Sequence, residues 1–283
     1  MELGRLSLKL AKDPSGIWTV ANGVGKNRPT LSFPEHGHGA CFDLEDRSFW
    51  FEHRNACIFE ALVKHPFEGP LLDIGGGNGA VSKGLEQRGL ATVLLEPGPE
   101  GARNARRRGL ENVVCATLDE AAFEPASFGA AGLFDVIEHV EDDVGLLGST
   151  HRALAPGGVL CVTVPAHPWL WSDEDELAGH FRRYTLAHLR RVLEQASFDV
   201  HYETHFFAPL TLPIFVARTL RHRLFRRSTA TIEQGAAEQH VPSPVARRIV
   251  ESVLAPEVQM IRGGRRIPFG TSCLVVATAR AMG

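Results

Sequence analysis

The sequence predicts an α/β fold built on a doubly wound, mostly parallel sheet. Three observations predict it: short apolar segments alternate with helical ones from residue 71 onward, the connections from strand to helix are short, and a glycine-rich turn follows the first strand. Parallel strands covered by helices on both faces are buried, so they read as short continuous apolar runs. The 283 residues are enough for one such domain with an addition.

An N-terminal arm and a helix precede the sheet. Residues 1–40 are rich in Gly, Pro, Asn and His, which predicts a loosely ordered arm. A helix is predicted from about Asp43 to Lys64, because apolar residues recur at helical spacing at positions 49, 50, 57, 58, 61 and 62. The pairs His65-Pro66 and Gly69-Pro70 end that helix.

Seven strands are expected, at 71–74, 91–95, 112–115, 129–134, 158–164, 198–207 and 271–279. Helices are expected at 79–88, 99–108, 141–154 and 185–196. A long excursion, 209–268, separates the last two strands, and it predicts helices over Leu210–Leu224 and Ser243–Met260. We expect an insertion and not a second domain, because strand 271–279 must return to the sheet. The expected organisation is an arm and lid helix (1–66), a core (67–208 and 267–283) and a helical insertion (209–266).

Composition excludes several classes of function. A net charge of −3 creates no general attraction to nucleic acid, so no nucleic-acid partner is expected. The five cysteines, at 41, 57, 115, 161 and 273, are odd in number and lack CxxC spacing, which predicts reduced thiols in a cytoplasmic protein. The N-terminus lacks the apolar core of a secretory signal, and no apolar run reaches the ~18 residues that a membrane span needs.

The run Leu-Leu-Asp-Ile-Gly-Gly-Gly-Asn-Gly, 71–79, places a glycine-rich turn at the end of the first strand. In a doubly wound sheet this crevice binds the ligand, and glycines let backbone N–H groups approach it closely. The next helix presents its N-terminus to an anionic group. Taken alone, the spacing of Gly75, Gly77 and Ala80 also fits a dinucleotide fingerprint.

Further features favour another cofactor. Asp73 lies two residues before the first glycine, where it can accept a hydrogen bond from an ammonium group but would repel a pyrophosphate. Glu96 follows the second strand and can accept from both ribose hydroxyls. Strand 129–134 leads into the run Phe-Asp-Val-Ile-Glu-His-Val at 134–140, and the run Pro-Gly-Gly-Val-Leu-Cys-Val-Thr-Val at 156–164 contains the next expected strand.

With these motifs the sequence resembles the class I S-adenosylmethionine-dependent methyltransferases, over roughly 50–207 and again over 267–280. The resemblance implies a seven-stranded sheet whose last strand is antiparallel. It also implies S-adenosylmethionine as cofactor and S-adenosylhomocysteine as product. An acidic residue is common in this family where this chain has Thr117, and whether Asp119 replaces it stays open. The implied cofactor contacts are Asp73, Gly75, Gly77, Asn78, Glu96, Pro97, Thr117, Leu118, Asp119 and Phe134.

A polar and aromatic segment follows the fifth strand, where it overhangs the cofactor crevice. It reads AHPWLWSDED over 166–175 and GHFRRYT over 179–185. The segment resembles a subgroup of bacterial methyltransferases with the pattern HxWLWS…D…GHxRRYT, which also carries a leading aromatic helix similar to SFWFEHRN at 48–55. Packing is the alternative role for the tryptophans, and a surface charge or a carboxylate partner the alternative for Arg182. The residues expected in the lid or against substrate are Trp50, Arg54, His167, Trp171 and Arg182.

Methyl transfer from a sulfonium is an in-line displacement, and a hydroxyl acceptor must also lose a proton. His180 and His139 are the candidate bases, and a capping or loop-ordering role is the alternative for His180. The Tyr184 hydroxyl could donate to substrate or make a structural hydrogen bond. Asp135, Glu138 and His139 share a helix face that could reach a divalent ion, but we expect capping and packing there and no metal.

The excursion has an unusual charge pattern. Residues 204–232 contain no acid, while arginines stand at 218, 221, 223, 226 and 227 after an apolar run. Such a pattern suits peripheral membrane contact through 209–227. A helix that covers the substrate pocket with a solvated basic tip is the favoured alternative, and the segment could also pair two subunits in a homodimer.

The expected function is therefore S-adenosylmethionine-dependent methylation of a small-molecule substrate, on oxygen before nitrogen or carbon. A nicotinamide-dependent oxidoreductase is one alternative, and Asp73 argues against it. A cofactor-binding protein without catalysis, acting as a partner, is the other.

Overall fold

A computed structural model describes residues 6–21, 42, 45–46, 48–224 and 243–281, and within them one sheet of nine strands. The strand order is β1-β2-β5-β4-β3-β6-β7-β9-β8. The strands are β1 Leu10–Lys12, β2 Trp18–Val20, β3 Leu71–Ile74, β4 Thr92–Leu95, β5 Val113–Cys115, β6 Phe128–Phe134, β7 Leu154–Pro165, β8 Phe198–Phe206 and β9 Ser272–Ala279.

The expectation of seven strands was wrong, because β1 and β2 form a hairpin within the expected arm. Asp13 Oδ1 accepts from the backbone N–H groups of Ser15 and Ile17, and Gly16 takes a positive φ of 82°. These contacts close a tight turn that Asp and Gly favour. Strand β2 then pairs in parallel with β5, which leaves β1 as the edge strand of the sheet. The rest of the expected arm lies mostly outside the described residues.

The other seven strands lie near their expected positions. The pairs that β3 makes with β4 and β6, β5 with β4, and β7 with β6 are parallel. Strand β9 runs antiparallel between β7 and β8, as the resemblance implied. The carboxyl ends of five neighbouring parallel strands, β5-β4-β3-β6-β7, therefore meet along one edge, where a doubly wound sheet binds its ligands.

Helices cover both faces of the sheet. They are α1 Phe49–Val63, α2 Ala80–Glu86, α3 Pro99–Arg107, α4 Leu118–Ala121, α5 Asp143–Ala153, α6 Asp173–Ala178, α7 Leu186–Gln195, α8 Thr211–Ile214, α9 Arg221–Leu224 and α10 Pro244–Arg262. Leu72 and Ile74 enter the core on one face, while Leu71 enters the core on the face that carries α1. Because strand side chains alternate, Asp73 points to the same face as Leu71.

The segment Leu210–Leu224, expected as one helix, consists of several short helical turns. Short turns at Ala208–Leu210, Thr211–Ile214 and Arg221–Leu224 flank a π-helical turn at Phe215–Leu220. Pro213 supplies no backbone N–H inside this stretch, which interrupts the regular hydrogen-bond series. Helix α10 begins after Ser243, whose side chain caps it by accepting from the N–H of Ala246.

No helix in the described ranges combines the length and apolar character that crossing a membrane requires.

Candidate active site

The glycine turn fits closely against its surroundings. Gly75, Gly77 and Gly79 have positive φ angles of 70°, 53° and 81°. A Cβ on Gly76 would lie 2.8 Å from Asp73 Oδ2, so a side chain there would displace the carboxylate. The turn therefore needs glycine for both its conformation and its proximity to Asp73.

Asp73 is completely buried beneath this turn. Its Oδ2 accepts from Ser82 Oγ at 2.6 Å, whereas Oδ1 finds no hydrogen-bond partner in the described part of the chain. Burial raises the pKa of Asp73 to about 6. A buried carboxylate oxygen without a donor costs free energy, and a positively charged ligand group would remove that cost.

Glu96 closes the other side of the turn from the end of β4. Its two carboxylate oxygens accept from the backbone N–H of Gly77 at 2.9 Å and of Gly98 at 2.6 Å. Each oxygen has a second lone pair, so the carboxylate can also accept from hydroxyl groups. Asp73 and Glu96 thus present acceptors on both sides of the glycine turn, an arrangement that fits a cofactor carrying an ammonium group and vicinal hydroxyls.

Asn78 is engaged in a polar cluster behind the turn. Its Nδ2 donates to Glu45 Oε1 at 3.0 Å and its Oδ1 accepts from Asn104 at 3.0 Å. Arg108 donates to Glu45 and to the Asn78 carbonyl. This cluster ties the segment before α1 to the glycine turn, and the sequence did not single out Glu45 or Arg108.

Two of the three expected adenine contacts are half-buried, and the third is exposed. Thr117 caps α4 by accepting from the N–H of Glu120, and Leu118 is half-buried against the core. Asp119 points away, with its side chain 81% exposed and bonded to Ser149 Oγ at 3.1 Å. The Asp119 carboxylate thus faces α5, and its contact with the adenine amine stays a prediction.

The two remaining expected cofactor contacts lie at ends of central strands. Pro97 follows Glu96 directly, and its carbonyl lies 3.9 Å from Cys115 Sγ. Phe134, buried at the end of β6, folds its ring over Gly132. Both residues therefore lie at the carboxyl edge of the sheet, Pro97 after β4 and Phe134 at the end of β6.

Helix α1 is fixed across this edge. Arg54 donates to Asp135, which follows β6 with a positive φ of 59° and also accepts from Thr163 Oγ1 at 3.0 Å. Trp50 stacks on Phe207 with ring centroids 3.8 Å apart. Arg54 and Trp50 therefore anchor the lid helix to the ends of β6 and β8.

A second group of polar side chains lies beside Asp135. Glu138 and His139 follow β6, and His180 comes from the segment after α6; their ligand atoms all lie within 4.8 Å of one another. The rings of His139 and His180 meet edge to face at 4.6 Å. Burial, and then the neighbouring His180, lower the pKa of His139 to about 3, while burial raises the pKa of Glu138 well above its usual value.

Asp175 organises the lid around His180. Its Oδ1 accepts from His180 Nδ1 at 2.8 Å and from Arg183 Nε at 2.8 Å, and its Oδ2 accepts from the N–H of Ser172. Burial opposes ionisation, but the hydrogen bonds from His180 and Arg183 hold the pKa of Asp175 below its usual value. The sequence did not identify this residue within an acidic run.

Tyr184 and Arg182 hold the lid to α5. The completely buried Tyr184 donates its hydroxyl to Asp143 Oδ2 at 2.7 Å, and burial and Asp143 raise its pKa. Arg182 donates to the same carboxylate at 2.8 Å and to the Glu141 carbonyl. We therefore assign Tyr184 and Arg182 a structural role in the lid, and a contact of either side chain with substrate stays a prediction.

Replacing Tyr184 with phenylalanine is expected to lower the free energy of unfolding by about 1.5–3 kcal/mol, because a buried hydrogen bond to a carboxylate is lost. Urea denaturation of the free chain measures this. Tyr202→Phe is the matched control, since Tyr202 donates to the Arg265 carbonyl, an uncharged acceptor, and loss of that hydrogen bond is expected to cost about 1 kcal/mol. A Tyr184→Phe chain as stable as the parent would contradict this assignment.

His167 and Trp171 lie at the outer part of the lid. His167 has a positive φ of 60°, and its ring stacks against His205 at 5.0 Å and Trp169 at 5.4 Å. The Nε2 atoms of His167 and His205 are buried without partners among the described residues. Trp171 is half-buried after the turn Pro168–Leu170. His205 was not expected in this cluster.

The excursion packs against the lid. Phe215 meets Trp169 edge to face at 5.6 Å, and Thr219 Oγ1 donates to the Leu170 carbonyl at 3.0 Å. His222 pairs with Asp173. These contacts place the excursion over the lid; the expected Arg226 and Arg227 lie outside the described residues.

Comparison with known proteins identifies the family to which the sequence is similar. Residues 33–203 match the family described as "Methyltransferase domain". A ubiquinone biosynthesis O-methyltransferase of Xylella fastidiosa (strain 9a5c) is 32% identical over 99 residues, which are 33% of this chain and 40% of that protein. The corresponding protein of Xanthomonas oryzae pv. oryzae (strain PXO99A) is 32% identical over 96 residues, 32% of this chain and 40% of its own length. The match thus spans well under half of these curated relatives.

Solved structures show the same fold at low identity. A methyltransferase in complex with the Haloferax volcanii Trm112 methyltransferase activator has a TM-score of 0.53 at 18% identity, covering 85% of this chain and 93% of the other. Haemonchus contortus phosphoethanolamine N-methyltransferase 2, solved with S-adenosyl-L-methionine, has a TM-score of 0.54 at 20% identity, covering 88% and 58%.

Proposed function

This chain belongs to the methyltransferase-domain family, and from that premise we propose that it transfers a methyl group from S-adenosylmethionine to a small-molecule acceptor, most readily a hydroxyl. The observation that carries the proposal is the buried Asp73, whose Oδ1 lies beneath the glycine turn with no hydrogen-bond partner among the residues that the structure describes. An ammonium group suits that oxygen, whereas a pyrophosphate would be repelled by it.

When bound, S-adenosylmethionine supplies an electrophilic methyl group on a sulfonium. Asp73 is proposed to accept from its ammonium group, and Glu96 from its ribose hydroxyls. Gly75 and Gly77 leave room for the amino-acid end, and Phe134 closes the crevice at the end of β6. Helix α1 and the lid are proposed to exclude water and to orient the acceptor, which is the main protein contribution to an in-line displacement.

Proton removal from a hydroxyl acceptor is proposed for His180. Asp175 fixes its Nδ1 by a hydrogen bond, which leaves Nε2 with the lone pair that a base needs. His139 is the weaker candidate, because a pKa of about 3 leaves it little affinity for a proton at neutral pH. Support for oxygen as acceptor comes from this oriented imidazole, and from the printed names of the Xylella and Xanthomonas relatives, which are O-methyltransferases.

Calorimetry tests the cofactor assignment. We expect the chain to bind S-adenosylmethionine and S-adenosylhomocysteine and to give no heat with NAD or NADH. Heat with the nicotinamides alone would favour an oxidoreductase. Transfer of a tritiated methyl group to any compound in a panel of phenols, catechols and sugars would separate an enzyme from a cofactor-binding partner.

With an acceptor in hand, His180→Gln is expected to lower kcat by about 100-fold or more, since a positioned base contributes about 10²–10⁴-fold. Its affinity for S-adenosylmethionine should stay unchanged. His139→Gln is the comparison and should lose less. A larger loss in His139→Gln, or an unchanged kcat in His180→Gln, would move the base away from His180.

Two partner proposals concern the excursion. Leu212, Val216, Leu220 and Leu224 are exposed along 209–224, with exposed Arg223 among them. Peripheral membrane contact through 209–227 and a homodimer both remain proposals for this apolar and basic surface. The contacts of Phe215 and Thr219 with the lid support the further assignment of this segment to the cover of the acceptor pocket.

A further inference from the structure

We propose that His167 and His205 form a recognition site for a sugar ring and bind it through two of its neutral hydroxyl groups. The site lies where β7 and β8 end, beside the lid. A sugar bound there belongs to the methyl acceptor, and in that respect the inference rests on the proposed function. It deepens that function by naming the chemical class of the acceptor.

The two imidazoles each have one nitrogen bonded to the protein and one without a partner. His205 Nδ1 donates to the Ile267 carbonyl at 3.3 Å, and the His167 ring donates to the Gly270 carbonyl. Both Nε2 atoms are buried and have no hydrogen-bond partner among the residues that the structure describes. Because a neutral imidazole donates from one nitrogen and accepts at the other, each Nε2 is a buried acceptor that a donor of the ligand would satisfy.

The charge of this corner selects neutral donors. Burial lowers the pKa of both imidazoles, and the neighbouring His205 and Arg183 lower the pKa of His167 further, so both rings are neutral at pH 7. Their N–H groups are already used, which leaves no donor for a carboxylate or a phosphate. An ammonium group would be repelled by Arg183, which donates to the Ala166 carbonyl beside His167. Hydroxyl groups are donors that meet neither obstacle.

Aromatic rings lie against the histidine pair. The His167 ring is 5.4 Å from that of Trp169 and 6.0 Å from that of Phe269. Trp169 and Phe269 are 42% and 44% exposed, which is unusual for such large apolar side chains. Exposed aromatic rings beside a few buried polar groups are typical of a ligand site. The C–H bonds of a sugar pack well against the electron-rich face of such rings.

The orientation of the two imidazoles favours a sugar over a flat phenol. The rings are stacked, with centroids 5.0 Å apart and an interplanar angle of 19°. A nitrogen lone pair lies in the plane of its ring, so the two acceptors stand at two different levels. The hydroxyls of a phenolic diol share one plane, whereas those of a sugar leave a puckered ring at different heights. A sugar can therefore satisfy both Nε2 atoms together.

Thr271 adds a third polar atom to this corner. Its carbonyl accepts from the N–H of Ala166, and Cys273, two residues further along, pairs with His205 across the sheet. The Thr271 hydroxyl is buried and has no partner in the described part of the chain. A hydroxyl both donates and accepts, so it can bind a further hydroxyl of the sugar.

Arg183 connects this site to the proposed base. It donates to Asp175, the residue that fixes His180, and also to the carbonyl of Ala166. The histidine pair and His180 are thus held by one network within the lid. A sugar carries several hydroxyls, so two can bind the pair while His180 takes the proton of another.

The test uses the full-length chain labelled with 5-fluorotryptophan and observed by ¹⁹F NMR. The chain has four tryptophans, and Trp169→Phe identifies the signal of the ring that covers the pair. The probes are the methyl glycosides of glucose, galactose and mannose, their uronic acid and amino sugar forms, and resorcinol as a flat diol. We expect at least one neutral glycoside to shift the Trp169 signal until it saturates. The charged forms of the same sugar should bind about tenfold more weakly or worse.

Two variants separate recognition from a structural role. His205→Phe keeps a ring and removes both nitrogens, while the Ile267 carbonyl still accepts from the backbone N–H at position 205. Thr271→Val removes only the hydroxyl. Each should weaken glycoside binding by about tenfold. Each should also raise the Tm of the free chain by about 1–3 °C, because a buried polar atom without a partner is removed.

His201→Phe is the control, because His201 is an exposed histidine of the same strand and bonds to Thr278. It should bind glycoside as the parent does. If the larger ring of His205→Phe destabilises the chain, the isosteric Thr271→Val decides. The sugar site would be overturned by a Trp169 signal that no glycoside shifts or that resorcinol alone shifts. It would also be overturned by unchanged binding in a folded His205→Phe chain, or by a lower Tm in Thr271→Val.

Calorimetry with S-adenosylmethionine keeps this inference separate from the proposed function. A chain that binds S-adenosylmethionine but no glycoside would refute the sugar site alone. A chain that binds a glycoside but not S-adenosylmethionine would refute methyl transfer and leave a sugar-binding site in place. His205→Phe should bind S-adenosylmethionine as tightly as the parent chain.

Discussion

Replacing Asp73 with asparagine is expected to stabilise the free chain while weakening its binding of S-adenosylmethionine at least tenfold. The binding loss follows because a hydrogen bond between charged groups contributes about 1.5–3 kcal/mol. The gain in stability follows from burial, which raises the pKa of Asp73 to about 6 from 3.8. Ionised Asp73 at pH 7.5 thus costs the folded state about 1–3 kcal/mol that a neutral asparagine avoids.

The pH dependence has a definite sign. Since the folded state holds the Asp73 proton more tightly than the unfolded state, this residue favours folding most below its unfolded pKa near 4. That contribution is lost as the pH rises through about 6. Affinity for S-adenosylmethionine should change in the opposite direction and fall as the pH drops below about 6, and Asp73→Asn should remove the Asp73 contribution to both dependences.

Thermal unfolding and calorimetry from pH 5 to 8 measure both effects. Asp199→Asn is the control, because it removes a carboxylate that is 54% exposed and pairs with Arg280 far from the glycine turn. It should change neither property by more than a small amount. An Asp73→Asn chain that binds S-adenosylmethionine as tightly as the parent would remove the ammonium assignment.

The core strands of the sheet could be predicted because each is a short apolar run that is recognisable in the sequence by itself. Residues such as Leu72, Val93 and Leu160 are buried on a sheet covered from both sides, so apolar runs mark them directly. Strands β1 and β2 carry no such signal, since each has three residues and β2 depends on pairing with β5. Short edge strands are set by their partner, which local sequence does not reveal.

The residues of the candidate site likewise fall into those whose place a sequence motif fixes and those whose place only the fold decides. The places of Asp73 in β3 and of Glu96 after β4 could be predicted, because the motif and the strand ends fix them; their contacts with a cofactor stay proposals. Asp175 was not, because it stands in the run Asp173 to Glu176 and only the fold decides that it alone of these four is completely buried. The role of Asp119 depended on one side-chain direction, which a residue's place in a motif does not determine.

Replacing Glu96 with glutamine is expected to weaken S-adenosylmethionine binding at least tenfold, as for Asp73, but to destabilise the free chain. Both Glu96 oxygens accept from backbone N–H groups, of Gly77 and Gly98. The amide turns one acceptor into a donor that faces another donor, which costs about 1–3 kcal/mol. Urea denaturation and calorimetry measure the two effects.

Glu111→Gln is the control for this change, because Glu111 is exposed just before β5 and should tolerate the amide. The opposite signs at Asp73 and Glu96 separate two causes of lost binding. General damage to the turn would lower stability in both variants. If the two carboxylates instead serve a ligand, replacing one lowers stability only where that carboxylate also accepts from the backbone, as Glu96 does. If both variants lost stability together, the two residues would be supports of the turn and the cofactor would lie elsewhere.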